Sequence, residues 1–81
     1  MLIVYGSDQC PDCVNCKADL DKGAVAYEYR SIAESLLFLK EFLAIRDKDP
    51  IFLPVRENGK IGIPCILAED GSVSLDWEQY L

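Results

Sequence analysis

Residues 1–13 read MLIVYGSDQCPDC and place a C-x-x-C pair directly behind a run of apolar residues. The apolar run, residues 2–5, is continuous and is closed by Gly6, which predicts a buried strand. Pro11 lies where a helix tolerates proline, because the N–H that it lacks would have no partner in the first turn. This stretch therefore predicts a strand, a short loop and a helix that starts at the cysteine pair, which is how an α/β domain begins.

The rest of the chain continues this α/β pattern as one domain over residues 1–81. A strand–helix–strand unit implies two parallel strands joined by a right-handed crossover, and a later hairpin adds two antiparallel strands. We therefore predict a four-stranded mixed sheet with helices on both faces, in the order βαβαββ plus a short C-terminal helical turn. In the first half of the chain the predicted elements are a strand at 2–5, a helix ending near Lys22 with Gly23 at C′, a strand at 24–30, and a helix at roughly 32–47 with Ser31 and Glu34 as a capping box. In the second half they are an irregular connection at 50–60, a strand from Ile61 to Ala68, a turn at Asp70-Gly71, a strand from Val73 to Leu75 and a helical turn in Trp77–Leu81.

The net charge and the composition of the chain exclude several classes of function. The chain carries a formal net charge of −6, only 8 Lys and Arg residues, and no histidine. Dispersed basic residues do not provide the clustered cations that neutralise phosphates, so we expect no nucleic-acid partner. The absence of histidine excludes Cys–His and Ser–His–Asp mechanisms and every histidine-containing metal site.

The apolar segments and the cysteines indicate the compartment. The apolar start of the chain has no basic lead-in and is too short for a signal peptide or a membrane span. We therefore expect a cytoplasmic protein with no membrane partner. In that compartment the 4 cysteines favour redox catalysis or metal binding over a static disulfide framework.

The spacing of Cys10 and Cys13 suits dithiol chemistry. A thiol at a helix N-terminus faces unpaired backbone N–H groups and the positive end of the helix dipole, and both favour the thiolate. We predict that Cys10 attacks a disulfide and that Cys13, one turn into the helix, resolves the mixed disulfide. Asp8 and Asp12 flank Cys10, and their negative charge opposes the dipole.

The stretch from Cys10 to Leu20, CPDCVNCKADL, resembles the active-site loop and first helix of glutaredoxins. In that family a small residue, a lysine and a leucine follow the second cysteine at matching offsets. Gly62-Ile63-Pro64 resembles the strand entrance that carries the family's cis-proline. The chain differs from the glutaredoxin pattern in two places. Ser7 occupies a position where many glutaredoxins have a lysine, and no glycine pair follows the last strand.

The resemblance implies a thioredoxin-like, glutaredoxin-like fold and thiol–disulfide oxidoreductase activity. It implies that Pro64 is cis and that the backbone before it pairs with the substrate. The substrate would be a protein disulfide or a glutathione mixed disulfide, with glutathione as reductant or substrate, or with a reductase as electron donor. No bound cofactor and no metal are implied. The substrate-binding residues would be Pro11, Asp12, Ile63, Pro64 and, in place of the family's aspartate, Asp76.

Alternatives to this interpretation remain at the sequence level. Cys16 and Cys65 are expected to be buried core thiols, with a regulatory second disulfide as the alternative for Cys65. All four cysteines could instead bind zinc or an iron–sulfur cluster, since C-x2-C-x2-C also occurs in such sites. A redox-regulated binding module is a further alternative.

The second predicted helix raises the question of oligomeric state. Its expected apolar stripe is Ile32, Leu36, Leu39 and Leu43, widened by Phe38, Phe42 and Ile45, and Leu37 falls outside it. We expect a monomer in which this helix packs beneath the sheet, with a dimer or partner surface as the alternative. Three basic residues are expected near the substrate groove or in solvent, namely Arg46, Arg56 and Lys60.

Overall fold

The computed structural model describes all residues from 1 to 81. It contains four strands, three α-helices and two short 3-10 turns. The strands are β1 (Leu2–Gly6), β2 (Tyr27–Ser31), β3 (Cys65–Leu67) and β4 (Val73–Ser74). The helices are α1 (Pro11–Lys22), α2 (Leu36–Lys48) and α3 (Leu53–Glu57), with 3-10 turns at Pro50–Phe52 and Trp77–Tyr80.

The strands form one mixed sheet in the spatial order β2-β1-β3-β4. β1 runs parallel to β2, with Leu2 opposite Tyr27, and antiparallel to β3, with Tyr5 opposite Cys65. β3 and β4 are antiparallel and form the predicted hairpin. The predicted four-stranded mixed sheet is therefore confirmed, and β1, which leads into the cysteine pair, is one of its two central strands.

Alternating residues of the central strands face two separate cores, because successive side chains of a strand point to opposite faces. On one face Val4 and Ile66 pack against Cys16 and Leu20 of α1. The other face holds Tyr5, Cys65, Phe42 of α2 and Phe52 of the first 3-10 turn. The prediction of helices on both faces is confirmed.

The second strand begins later than the sequence predicted. Residues 24–26 still complete the end of α1, since the Val25 N–H donates to the Leu20 carbonyl at 2.9 Å. Ala24 takes the left-handed conformation, with φ of 55°, whereas Gly23 has φ of −82°. The predicted end of the helix at Lys22 with Gly23 after it is confirmed, whereas the predicted start of the strand at residue 24 was wrong, because the residues after the helix bind its last carbonyls before the chain extends.

The predicted capping box at Ser31 and Glu34 was also wrong. Ser31 is the last residue of β2 and lies opposite Gly6 in the parallel pair. The cap is Ser35, whose hydroxyl accepts the Phe38 N–H at 3.2 Å. The helix therefore starts one turn later than predicted, because Ser31 is held by the sheet.

The connection predicted as irregular at 50–60 contains the first 3-10 turn and α3. The Asp49 carboxylate accepts the Ile51 N–H at 3.1 Å, and Pro50 follows as a first-turn proline. The same Asp-Pro pair that ends α2 thus begins the next turn. The strand predicted from Ile61 to Ala68 is shorter, since only Cys65–Leu67 pairs with β1, and the predicted C-terminal helical turn is confirmed.

The apolar side of α2 differs from the predicted stripe. Phe42 is fully buried, whereas Leu36 and Leu37 at the start of the helix are 67% and 63% exposed. Leu43 is also exposed, so the predicted stripe is confirmed only in part: Phe42 is buried and Ile32 and Ile45 pack against its core, whereas Leu36 and Leu43 were wrongly expected to be covered. None of the helices is long and apolar enough to cross a membrane.

Candidate active site

Cys10 lies at the N-cap of α1, where the chain leaves the sheet. Its backbone is extended, its N–H donates to the Ser7 carbonyl at 3.0 Å, and its carbonyl accepts the Val14 N–H at 3.1 Å. The thiol is partly exposed and donates to the Ile63 carbonyl, with a distance of 3.9 Å from Sγ to the oxygen. The other three cysteines are fully buried, so Cys10 alone offers its sulfur to a substrate.

A surface groove opens beside the Cys10 thiol. Its wall is the segment 59–63, and the Ile63–Pro64 peptide bond that ends this segment is cis, as the resemblance implies. The N–H groups of Ile61, Gly62 and Ile63 have no hydrogen-bond partner within the chain. The groove therefore presents unpaired backbone donors within a few residues of the thiol's own contact. Its lining residues are Cys10, Val55, Gly59, Lys60, Ile61, Gly62 and Ile63.

Gly62 shapes this wall through its close packing. It has φ of 94°, and a Cβ at this position would lie 2.7 Å from the Phe52 ring and 3.1 Å from Val55 Cγ1. Only glycine fits both the conformation and the space. The core residue Phe52 thus sets how closely the segment before Pro64 approaches the sheet.

Cys13 lies one turn inside α1, on the face turned to β1. A Cβ on Gly6 would lie 2.9 Å from Cys13 Sγ, so the glycine makes room for the sulfur. Burial, together with the neighbouring Cys10 thiol and against a hydrogen bond from the Ser7 backbone, raises the pKa of Cys13 to about 12. In the resting protein Cys13 is therefore a protonated thiol behind the exposed one.

Tyr29 of β2 shares the space that Gly6 leaves open. Its hydroxyl would lie 3.0 Å from a Gly6 Cβ, and it is buried without a hydrogen-bond partner. Burial and the negative potential of Cys13 and Asp8 raise the pKa of Tyr29. The Lys17 ammonium sits over the Tyr29 ring, 4.1 Å from its centroid.

Lys17 also changes the electrostatics expected around Cys10. Its Nζ is 2.7 Å from Asp8 Oδ1, and this ion pair holds the pKa of Asp8 below its ordinary value. Lys17 therefore compensates one of the two aspartates that the sequence places beside the nucleophile. The linear sequence hides this because Lys17 reaches back two helical turns, and no sequence signal marks Tyr29 as their neighbour.

One relative decides the family. The chain is 38% identical over 74 residues to an uncharacterized protein of Haemophilus influenzae, and the match covers 91% of this chain and 86% of that protein. The chain belongs to the family of that protein. No family model matches the chain, and no solved structure matches it. The name of that relative states no activity, so the function of this family has to be inferred from the site.

The remaining predicted substrate residues lie in different surroundings. Pro11 and Asp12 form the exposed first turn of α1 next to Cys10. The Asp76 carboxylate accepts the Glu78 N–H at 3.0 Å and caps the C-terminal 3-10 turn. Asp76 does not line the groove beside Cys10.

The three basic residues expected near the groove divide into two roles. The Arg46 guanidinium binds the carbonyls of Lys60 and Ile61, and Arg56 binds the carbonyls of Arg46 and Asp47. Arg46 therefore holds the groove wall from behind, and Arg56 ties α3 to the last turn of α2. Lys60 lines the groove and is the one basic residue among its lining residues.

Cys16 and Cys65 are buried core thiols, as the sequence predicted. Burial raises the pKa of Cys16 to about 11 and that of Cys65 to about 12. They belong to cores on opposite faces of the sheet, and all four cysteines are in the thiol form. No three Cys, Asp or Glu side chains converge in an arrangement that would hold a metal ion.

Proposed function

We propose that this protein is a thiol–disulfide oxidoreductase that uses Cys10 as nucleophile and Cys13 as resolving thiol. The observation that carries the proposal is the arrangement of the two sulfurs: one partly exposed at a helix N-terminus and facing a groove, the other buried directly behind it. This is the arrangement that a two-step exchange requires, because the first thiol must meet the substrate and the second must not.

In the first step the Cys10 thiolate attacks one sulfur of a substrate disulfide. A bond forms between Cys10 Sγ and that sulfur, the substrate S–S bond breaks, and the departing thiolate takes up a proton. Cys10 lies at the N-terminus of α1, where the helix dipole has its positive end and the first-turn N–H groups have no partner within the helix. The Asp8–Lys17 ion pair limits the opposing charge of Asp8.

In the second step Cys13 attacks Cys10 Sγ. The Cys10–Cys13 disulfide forms, the remaining substrate thiol leaves, and two electrons have passed from the protein to the substrate. A reductant then restores the dithiol, and glutathione or a protein reductase can supply those electrons. We propose a cytoplasmic location, because that compartment keeps thiols reduced.

The groove favours an extended peptide segment around the reacting cysteine. The unpaired N–H groups of Ile61, Gly62 and Ile63 can bind the backbone carbonyls of such a segment, as an added strand does at a sheet edge. The side chains of Val55, Ile61 and Ile63 supply apolar contacts, and Lys60 can pair with a carboxylate. We propose protein disulfides and glutathione mixed disulfides as substrates.

The finer fold class belongs to the same proposal. The strand order β2-β1-β3-β4, with helices on both faces and the cysteine pair at the end of a central strand, supports a thioredoxin-like fold of the glutaredoxin kind.

Thiol trapping across a glutathione redox titration tests the function, with mass spectrometry locating the oxidised cysteines and metal content measured in parallel. We expect a single Cys10–Cys13 disulfide, its loss in Cys10→Ser and Cys13→Ser, and its retention in the control Cys16→Ser. Four thiols that resist trapping, together with stoichiometric zinc or iron, would overturn the proposal in favour of a metal site.

A further inference from the structure

The Tyr29 hydroxyl is the buried side-chain polar atom for which the resting structure provides no hydrogen-bond partner. Leaving such a group unpaired in the interior destabilises a protein, and native structures contain few of them. A phenylalanine at this position would fill the same space without this cost. The hydroxyl therefore needs an explanation outside the contacts of the resting state.

The neighbour that could use the hydroxyl is the sulfur of Cys13. Cys13 Sγ and Tyr29 Oη lie 2.9 Å and 3.0 Å from the point that a Gly6 Cβ would occupy, so both border the space that the glycine leaves open and are at most about 6 Å apart. The other groups around them are the Cys10 and Cys16 thiols, the Asp8 carboxylate, which lies beside the hydroxyl and raises the pKa of Tyr29, and the Lys17 ammonium over the Tyr29 ring. Asp8 is already bound by Lys17 at 2.7 Å.

We propose that the Tyr29 hydroxyl donates a hydrogen bond to the Cys13 thiolate when Cys13 resolves the mixed disulfide on Cys10. This inference rests on the proposed oxidoreductase function and adds a residue to its second step. In that step Cys13 loses its proton to solvent, its sulfur forms a bond to Cys10 Sγ, and the Cys10–substrate S–S bond breaks. The departing substrate thiolate takes up a proton, so protons and electrons balance.

The hydroxyl is suited to this role because it discriminates between the states of Cys13. A thiolate is a strong acceptor, whereas a protonated thiol and a disulfide sulfur are weak ones. The hydrogen bond therefore forms mainly while Cys13 is ionised, which is the state that attacks. Tyr29 acts as a positioning and stabilising residue for this sulfur and does not act as a base, because the neutral phenol keeps its own proton.

The test follows the two steps separately with an aromatic disulfide, 5,5′-dithiobis(2-nitrobenzoate), added at one equivalent in a stopped-flow instrument. Attack by Cys10 releases the first coloured thiolate, and resolution by Cys13 releases the second. We expect Tyr29→Phe to slow the second release by about tenfold or more and to leave the first unchanged. The second release of the variant should also require a higher pH.

Tyr27→Phe is the matched control, because Tyr27 lies two residues away on β2 and its hydroxyl binds Asp21 at the surface. We expect this variant to keep both rates. In urea unfolding Tyr29→Phe should be at least as stable as the unmodified protein, which separates the expected kinetic loss from misfolding. Reduced stability of Tyr29→Phe would contradict the unpaired state of the hydroxyl and overturn the inference.

The outcomes distinguish this inference from the function beneath it. Two releases in the unmodified protein, with equal second rates in Tyr29→Phe and Tyr27→Phe, would overturn the role of Tyr29 and leave the oxidoreductase function standing. A single release with no Cys10–Cys13 disulfide in the unmodified protein would overturn both. A slow second release confined to Tyr29→Phe supports the inference.

Discussion

Two walls of the molecule meet at the Cys10 sulfur, and they are held in different ways. The thiol wall, residues 6–17, is fixed by contacts between near neighbours, such as Cys10 with Ser7 and Lys17 with Asp8. The groove wall, residues 59–63, has unpaired backbone donors and is held from behind by Arg46 and Phe52. The chemistry is therefore built locally, whereas the surface that would receive a substrate depends on packing between distant segments.

The largest expected effect separates the two sulfurs of the thiol wall. Cys10→Ser should lower disulfide-exchange activity by at least about a thousandfold, because the attacking atom is gone. Cys13→Ser should keep the first step and accumulate a mixed disulfide on Cys10. Intact-mass measurement after exposure to glutathione disulfide checks both, and adduct formation on Cys10→Ser would contradict the assignment of the nucleophile.

A glycine of the groove wall should give the largest effect on stability. We expect Gly62→Ala to lower the free energy of unfolding by about 3 kcal/mol, from its positive φ and from overpacking against Phe52. Gly59→Ala is the control, since Gly59 has φ of 67° with nothing within 4 Å of its Cβ position, and about 1 kcal/mol is expected. Urea unfolding measures both, and equal losses would show that Phe52 does not limit the wall.

The difference between local contacts in the thiol wall and long-range packing in the groove wall also explains which features could be predicted from the sequence. The apolar run, the C-x-x-C pair and Pro11 are local signals, and the first strand, α1 and the exposed Cys10 followed from them. The structure of the segment after α2 was missed because Asp49 and Pro50 end one helix and begin another turn, which a breaker signal does not distinguish. The contact between Gly62 and Phe52, and the placement of Tyr29 and Cys13 beside Gly6, depend on tertiary packing and leave no periodic pattern.

The next prediction concerns the pH dependence of the free energy of unfolding above pH 9, to which one buried thiol on each face of the sheet should contribute. Burial raises the pKa of Cys16 to about 11 and that of Cys65 to about 12 from an ordinary value of 9.0. Above pH 9 the unfolded chain releases these protons while the folded protein keeps them, so stability is complete below pH 9 and falls as the pH rises toward the folded values.

Each buried thiol should contribute a slope of up to about 1.4 kcal/mol per pH unit, and of about 1 kcal/mol per pH unit averaged between pH 9 and 11. Cys16→Ala and Cys65→Ala should each reduce the slope by that amount, whatever their cost at neutral pH. Urea unfolding at several pH values measures the slope. An unchanged slope in either variant would mean that its thiol is not protected from ionisation in the fold.

The smallest expected effect concerns the 3-10 turn Pro50–Phe52, which lies behind the groove and is capped locally by Asp49. Asp49 accepts the Ile51 N–H at 3.1 Å and so caps the turn that carries Phe52. Asp49→Ala should cost about 1 kcal/mol of unfolding free energy, the usual value for a lost N-cap. Asp47→Ala, two residues earlier, removes the same charge from the last turn of α2, where a carboxylate opposes the helix dipole, and should be neutral or slightly stabilising.

If Asp49→Ala also slowed the first release from the aromatic disulfide, the cap would be holding the groove wall through Phe52, and the local and long-range supports of the site would be coupled. Unchanged first-step kinetics with the expected loss of stability would instead mean that Arg46 and the packing of Gly62 suffice to hold that wall.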